Sequence, residues 1–177
     1  MNYRAAPLIF SLMLGVASAS AAVPDADRQI GTLVLRHAFA RATAPGQTAT
    51  AVYLDIANQG KREDRLLRVS SPVAATAEIH SMTMADGVMR MRELDQIALP
   101  AGKAISLMPS QGYHLMLQRL RQPLVAGQQI SLRLRFARAG TVVLQVPVAA
   151  IGAMAPQSAT AASPAPANMA TTATPGH

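Results

Sequence analysis

Two histidines and a run of methionines carry the chemistry open to this chain. Residues 80–93 read His-Ser-Met-Thr-Met-Ala-Asp-Gly-Val-Met-Arg-Met-Arg-Glu, and Tyr113-His114-Leu115-Met116 follows. Six of the ten methionines fall between Met82 and Met116, while the chain has no cysteine and no tryptophan. Thioether sulfur and imidazole nitrogen are neutral donors, and a mixed set of them suits a soft monovalent ion, Cu(I) above all. Two imidazoles and two thioethers would leave the ion's single positive charge unaltered, which disfavours Cu(II). Zn(II) is ordinarily held by thiolate, imidazole or carboxylate, and Ca(II) and Mg(II) by oxygen, so a methionine-rich set argues against all three. The lack of cysteine excludes disulfides, thiolate catalysis, cysteine zinc sites, iron–sulfur clusters and a blue-copper centre.

Such donors act together only if the backbone brings them together. Asp86-Gly87 between strand-like segments predicts a two-residue hairpin, because a type I′ turn needs positive φ at both positions. That turn sets Ala85 opposite Val88, Met84 opposite Met89 and Met82 opposite Met91. Side chains alternate with period two, so His80, Met82 and Met84 share a face with Met89, Met91 and Glu93, while Thr83, Arg90 and Arg92 point away. His80 and Met91 become diagonal neighbours about 7–8 Å apart at the backbone. His114 and Met116 share one face of a later strand. One histidine and one or more methionines from each strand can then converge. Spacing does not say which of Met82, Met84, Met89 and Met91 bind, and at least two exceed the needs of a four-coordinate site. The competing explanation is that the methionines are core filler and the histidines merely hydrogen-bonded.

The supporting elements read as strands. Segments 30–40, 48–57, 65–69, 77–84, 88–93, 104–108, 113–118, 129–136 and 141–148 alternate or carry apolar, β-branched runs, bounded by Gly, Pro or polar clusters. Nine short strands without a long helix predict an all-β, two-sheet sandwich or Greek-key barrel. No internal repeat is present.

The ends differ in composition from this domain. Residues 1–22 place Arg4 before an apolar stretch at 6–16 and a run of small residues, the pattern of a secretory signal peptide cleaved after Ala19, Ala21 or Ala22. The apolar stretch is about half of what spans a bilayer, so stable membrane insertion after cleavage is not expected. No cysteine follows it to be acylated. Residues 23–29 read as a linker, 30–150 as the β domain, and 151–177 as a disordered tail of Ala, Thr, Ser and Pro. The tail holds Met154, Met169 and His177, at most a weak auxiliary metal-capture arm. The expected location is the periplasm. The net charge is +7, but only 14% of residues are charged and 3% aromatic, which excludes a nucleic-acid binder.

The run HSMTMADGVMRM, with GYHLM after it, resembles the motif of the PCuAC-type periplasmic copper(I) chaperones: a His, a Met eleven positions on, then His-x-Met a little over twenty residues later. Those positions are His80, Met91, His114 and Met116. Outside the motif, Phe39-Ala40-Arg41-Ala42, Pro45-Gly46, Ala51-Val52-Tyr53-Leu54, Asp64-Arg65-Leu66, Ser71-Pro72-Val73-Ala74 and Pro123-Leu124 are similar to family members. The resemblance covers about residues 30–150. Phe39 departs from it where Trp is expected, a packing position, and Ser81 where Glu or Met is common. The resemblance implies a cupredoxin-like β-sandwich that binds Cu(I) through these two His and two Met. It implies delivery to an acceptor protein in cytochrome c oxidase assembly or to another copper chaperone. General copper buffering or resistance is the alternative role.

Two rival classes make different predictions. A copper enzyme would cycle through Cu(II), which calls for more nitrogen and oxygen donors than this set offers, and no enzyme is expected. A structural exported sandwich with no metal would not respond to copper. Of the remaining residues, His37 reads as a satisfied core or edge histidine, and Tyr113 as a packing or shielding ring. Arg90 and Arg92 read as solvated. The acids form no paired-carboxylate arrangement, and neither Ser71 nor the tail serines have a general base nearby, so no hydrolase is read.

Overall fold

The computed structural model describes residues 28–85 and 87–156. The predicted signal peptide, Asp86, Met169 and His177 lie outside the described residues. Eleven strands form: β1 (Arg28–Ile30), β2 (Leu33–Arg41), β3 (Ala49–Asn58), β4 (Asp64–Ser70), β5 (Ala74–Ala85), β6 (Val88–Leu94), β7 (Ile97–Leu99), β8 (Ala104–Leu107), β9 (Tyr113–Leu120), β10 (Gln129–Phe136) and β11 (Thr141–Ala149). The two beyond the nine expected have simple origins. Gly31, at φ 57°, turns the chain and splits the predicted first strand into β1 and β2. β7 is three residues long, too short for an alternation pattern to show.

The strands run in the order β6-β5-β9-β3-β2-β11-β10-β4-β7, with β1 paired to β2 and β8 to β3. Pairing is antiparallel except between β11 and β2, where Val148 and Ala149 lie beside Ala40 and Arg41 in parallel. That junction folds the path into two facing layers, an all-β sandwich. β10 and β11 alternate strictly, turning Ile130, Leu132, Leu134, Phe136, Val142, Leu144, Val146 and Val148 inward against Leu35, Leu54, Ile56, Leu66, Leu115 and Leu117. The described residues contain no helix.

A bulge in β2 positions the site. Leu35 pairs with Ile56, but Phe39 pairs with Tyr53, one residue out of step. His37 sits in the step at φ 53°, and its Nδ1 meets Asp55 Oδ2 at 2.8 Å. The expectation of a satisfied edge histidine is met at an exposed bulge. The extra residue flips the parity of the strand. Before it, Leu33 and Leu35 face the main core; after it, Ala38 and Ala40 do, and Phe39 and Arg41 turn to the outer face. There Phe39 is fully buried in a second small cluster with Tyr53 and Ala149.

Candidate metal centre

The β5–β6 hairpin has the expected register: Ala85 opposite Val88, Met84 opposite Met89, Met82 opposite Met91 and His80 opposite Glu93. Gly87 has the positive φ, 74°, that the turn requires. On its other side β5 pairs with β9, placing His80 opposite His114 and Glu78 opposite Met116. The face common to these strands therefore carries three rows. His80 and His114 form the middle row, Met82 and Met91 flank it toward the hairpin tip, and Met116 flanks it on the other side beside Ala51 of β3. Ile79, Leu115 and Leu117 alternate onto the opposite face and into the main core. Tyr113 packs with them, so it is a packing ring and no shield for this face.

A cleft of about 640 Å³ opens on this face, its lining including Met82, Met91, His114, Met116, Tyr53 and Arg41. Gly112 reaches into the same row as Met82, accepting the Met82 N–H at 2.6 Å, and adds no side chain there. The His80 and His114 rings stand edge to face with centroids 5.5 Å apart. His114 is buried, Met116 half-buried, and Met91 lies at the rim, 58% exposed. The four residues singled out from the sequence thus lie on one face within three adjacent rows.

Hydrogen bonding around His80 is one-sided. Its Nε2 lies 2.9 Å from Glu78 Oε2, and Gln118 Nε2 donates to the same oxygen at 2.5 Å. A carboxylate can only accept, so Nε2 carries the proton and Nδ1 the lone pair. Nδ1 is buried and has no hydrogen-bond partner among the described residues. An unmet buried acceptor costs about 1–3 kcal/mol, so an atom left this way calls for a partner such as an ion. Two imidazoles and up to three nearby thioethers fit a soft ion. No group of three or more His, Cys, Asp or Glu that could hold a metal is found among the described residues.

Electrostatics point the same way. Burial, then the neighbouring His80, then Arg41 hold the His114 imidazole below its usual range, which keeps its lone pair free at neutral pH. Burial raises the Tyr53 phenol against an opposing pull from Arg41, so it stays neutral. Arg41 stacks 4.9 Å above the Tyr53 ring, donates from Nε to the Ala153 carbonyl at 2.8 Å and contacts Met154 Sδ at 3.3 Å. Its fixed charge on the cleft wall repels a dication twice as strongly as a monocation.

Sequence reasoning did not single out Glu78, Tyr53 or Arg41 for the site, while Met154, read as part of a weak auxiliary tail arm, lies in the cleft lining. Glu78 was within reach of it, since it lies two residues before His80 and so on the same face. Tyr53 was within reach too, since it alternates with Val52 and Leu54 along β3, but Arg41 was not, because its orientation depends on the bulge at His37. The Tyr53 and His114 ring centroids are 6.4 Å apart.

The fold matches known proteins. Solved structures of similar fold include the apo PCuAC domain from PmoF1, at 26% identity and TM-score 0.60 over 70% of this chain and 98% of that one. Another is the copper-bound PCuAC domain from PmoF2, at 25% identity and TM-score 0.60 over 70% and 97%. DR1885 from Deinococcus radiodurans, in its CuI form, shares the fold at 21% identity and TM-score 0.54, over 75% and 83%. This is the PCuAC architecture that the sequence resemblance implied. A model of the LpqE-like family, described as "Putative lipoprotein LpqE-like", matches residues 33–148, and the chain belongs to that family. A relative from Leifsonia xyli subsp. xyli, "Putative lipoprotein Lxx21020", is 29% identical over 148 residues, covering 81% of this chain and 87% of its own. The 177 residues here hold no cysteine that could be acylated.

Proposed function

We propose that this protein is an exported, periplasmic Cu(I) carrier that binds the ion through His80, Met91, His114 and Met116 and passes it to an acceptor by ligand exchange. The observation that carries the reading is the buried Nδ1 of His80, without a hydrogen-bond partner among the described residues, beside the His114 ring on a face that also carries the thioethers of Met82, Met91 and Met116. Cu(I) is the cargo. Glu78 fixes the tautomer that frees Nδ1, burial keeps His114 unprotonated, and the positive wall at Arg41 favours the monovalent state. Both sulfurs are neutral, so release needs no proton. The site lies on an outer face with Met91 at its rim, where an acceptor's ligands can displace the protein's own one at a time.

The copper-bound PmoF2 domain and CuI-DR1885 support copper as the ligand and Cu(I) as its state. The lipoprotein description of the relatives supports export. We take the acceptor to be a protein of cytochrome c oxidase assembly or another copper chaperone. Anaerobic titration of the purified protein with Cu(I), in competition with a Cu(I) chelator, tests the reading. One tightly held equivalent is expected, lost when His80 and His114 are both replaced by Ala. Equal affinity in that variant refutes it.

A further inference from the structure

The proposed site uses one of the four hairpin methionines as a ligand, and the structure gives the others an arrangement of their own. Met84 lies directly opposite Met89, and Met82 directly opposite Met91, on the same face of β5 and β6. Opposed residues on one sheet face have Cβ atoms about 4.5–5.5 Å apart, within reach of two flexible thioethers converging on one ion. The two pairs form a column that leads from the hairpin tip to the row of His80 and His114. The other face of the hairpin carries Ser81, Thr83, Arg90 and Arg92, so the sulfurs are segregated onto the side of the cleft. Met84 and Met89 are 67% and 58% exposed, on a hairpin whose second strand, β6, is at the edge of the sheet. They fill no core.

We infer that Met84 and Met89 form a second, weaker site for a soft monovalent ion, Cu(I) or Ag(I), placed before the His80–His114 row as the point where the ion enters or leaves. The inference rests on the function proposed above. Two neutral thioethers and no imidazole hold a soft ion less tightly than a mixed set with two imidazoles, as a transfer point requires. Movement along the column is ligand exchange: one metal–sulfur bond forms as another breaks, with no electron or proton transferred. The tip pair lies four residues from the histidine row, about 13 Å at strand rise. That exceeds the Debye length of about 8 Å at physiological ionic strength, so ions at both sites coexist.

The test is an Ag(I) titration of the full chain labelled with 13C at the methionine methyls. The first equivalent is expected to shift Met91 and Met116. A second equivalent, bound at least tenfold more weakly, shifts Met84 and Met89 together. Met84→Leu with Met89→Leu keeps size and apolarity and abolishes the second equivalent, while Val88→Ala retains it. If the first equivalent binds as expected but a second is absent or shifts only methyls elsewhere in the chain, the tip site is refuted and the carrier reading stands. If no methyl moves at any Ag(I) concentration, the carrier reading fails with it.

Discussion

His80 and His114 face each other across β5 and β9 with ring centroids 5.5 Å apart, on the outer face of the sheet and not in the core between the layers. The placement separates two explanations for a His- and Met-rich β protein. Methionines that only fill space belong with Leu115 and Leu117 on the inner face, whereas Met82, Met91 and Met116 alternate onto the outer one with both imidazoles. A small aromatic cluster, Phe39 and Tyr53, covers part of that face, so His114 is 4% exposed without lying in the main core.

Glu78 should matter to metal affinity without being a ligand. It accepts from His80 Nε2 and so leaves Nδ1 as the donor atom. Partners that orient a ligating imidazole typically contribute 10–100-fold in metal affinity. Glu78→Ala is therefore expected to weaken Cu(I) binding by about that factor. Glu78→Gln, whose amide oxygen still accepts, should fall between the variant and the wild type. Chelator competition under anaerobic conditions reads both.

The apo protein should lose stability on mild acidification because of His114. Burial, His80 and Arg41 hold its folded pKa below the ordinary 6.5, so near and just below that pH the unfolded chain binds more protons than the native one. Stability then rises with pH through this window. Its contribution is complete above about pH 6.5 and disappears as pH falls through the lowered folded value. Urea midpoints of metal-free protein between pH 7.5 and 5 should show the decline, and His114→Gln should flatten it.

Period-two patterning and one turn signal made much of this legible in the sequence. Asp86-Gly87 and the alternation on either side set the hairpin register, and with it the face shared by His80, Met82 and Met91. The His-x-Met pair at His114 and Met116 required only that β9 be a strand. What stayed hidden was non-local. No local pattern says that β9 pairs with β5 so that His80 meets His114, or that a bulge at His37 turns Phe39 and Arg41 outward. β7 escaped because three residues cannot display a period.

Phe39 joins the fold's stability to the chemistry of the site. Its ring is fully buried 5.1 Å from that of Tyr53, which in turn lies beside His114. Phe39→Ala is expected to cost about 3–5 kcal/mol by removing a buried aromatic side chain. Loosening the cover over His114 should also restore solvent and move its pKa back toward the ordinary value. Denaturant melts measure the first effect and an NMR titration of the His114 ring the second. Phe39→Trp, the residue common in the resembling family, should preserve the cover and leave the His114 titration near that of the wild type.

Cu(I) should stabilise the native state in proportion to its binding, and the size of the effect distinguishes a site from surface adsorption. A ligand that binds only the folded protein adds about 2.7 kcal/mol when its free concentration is 100 times its dissociation constant. The proposed donors come from β5, β6 and β9, which the unfolded chain does not hold together, so the native state should bind the ion far better than the unfolded one. Melting with chelator-buffered Cu(I) should therefore raise Tm progressively in the wild type. The rise should disappear in the His80→Ala, His114→Ala double variant, whose remaining thioethers bind weakly. A matching rise in both proteins would place the stabilising copper elsewhere and remove the histidine pair from the mechanism.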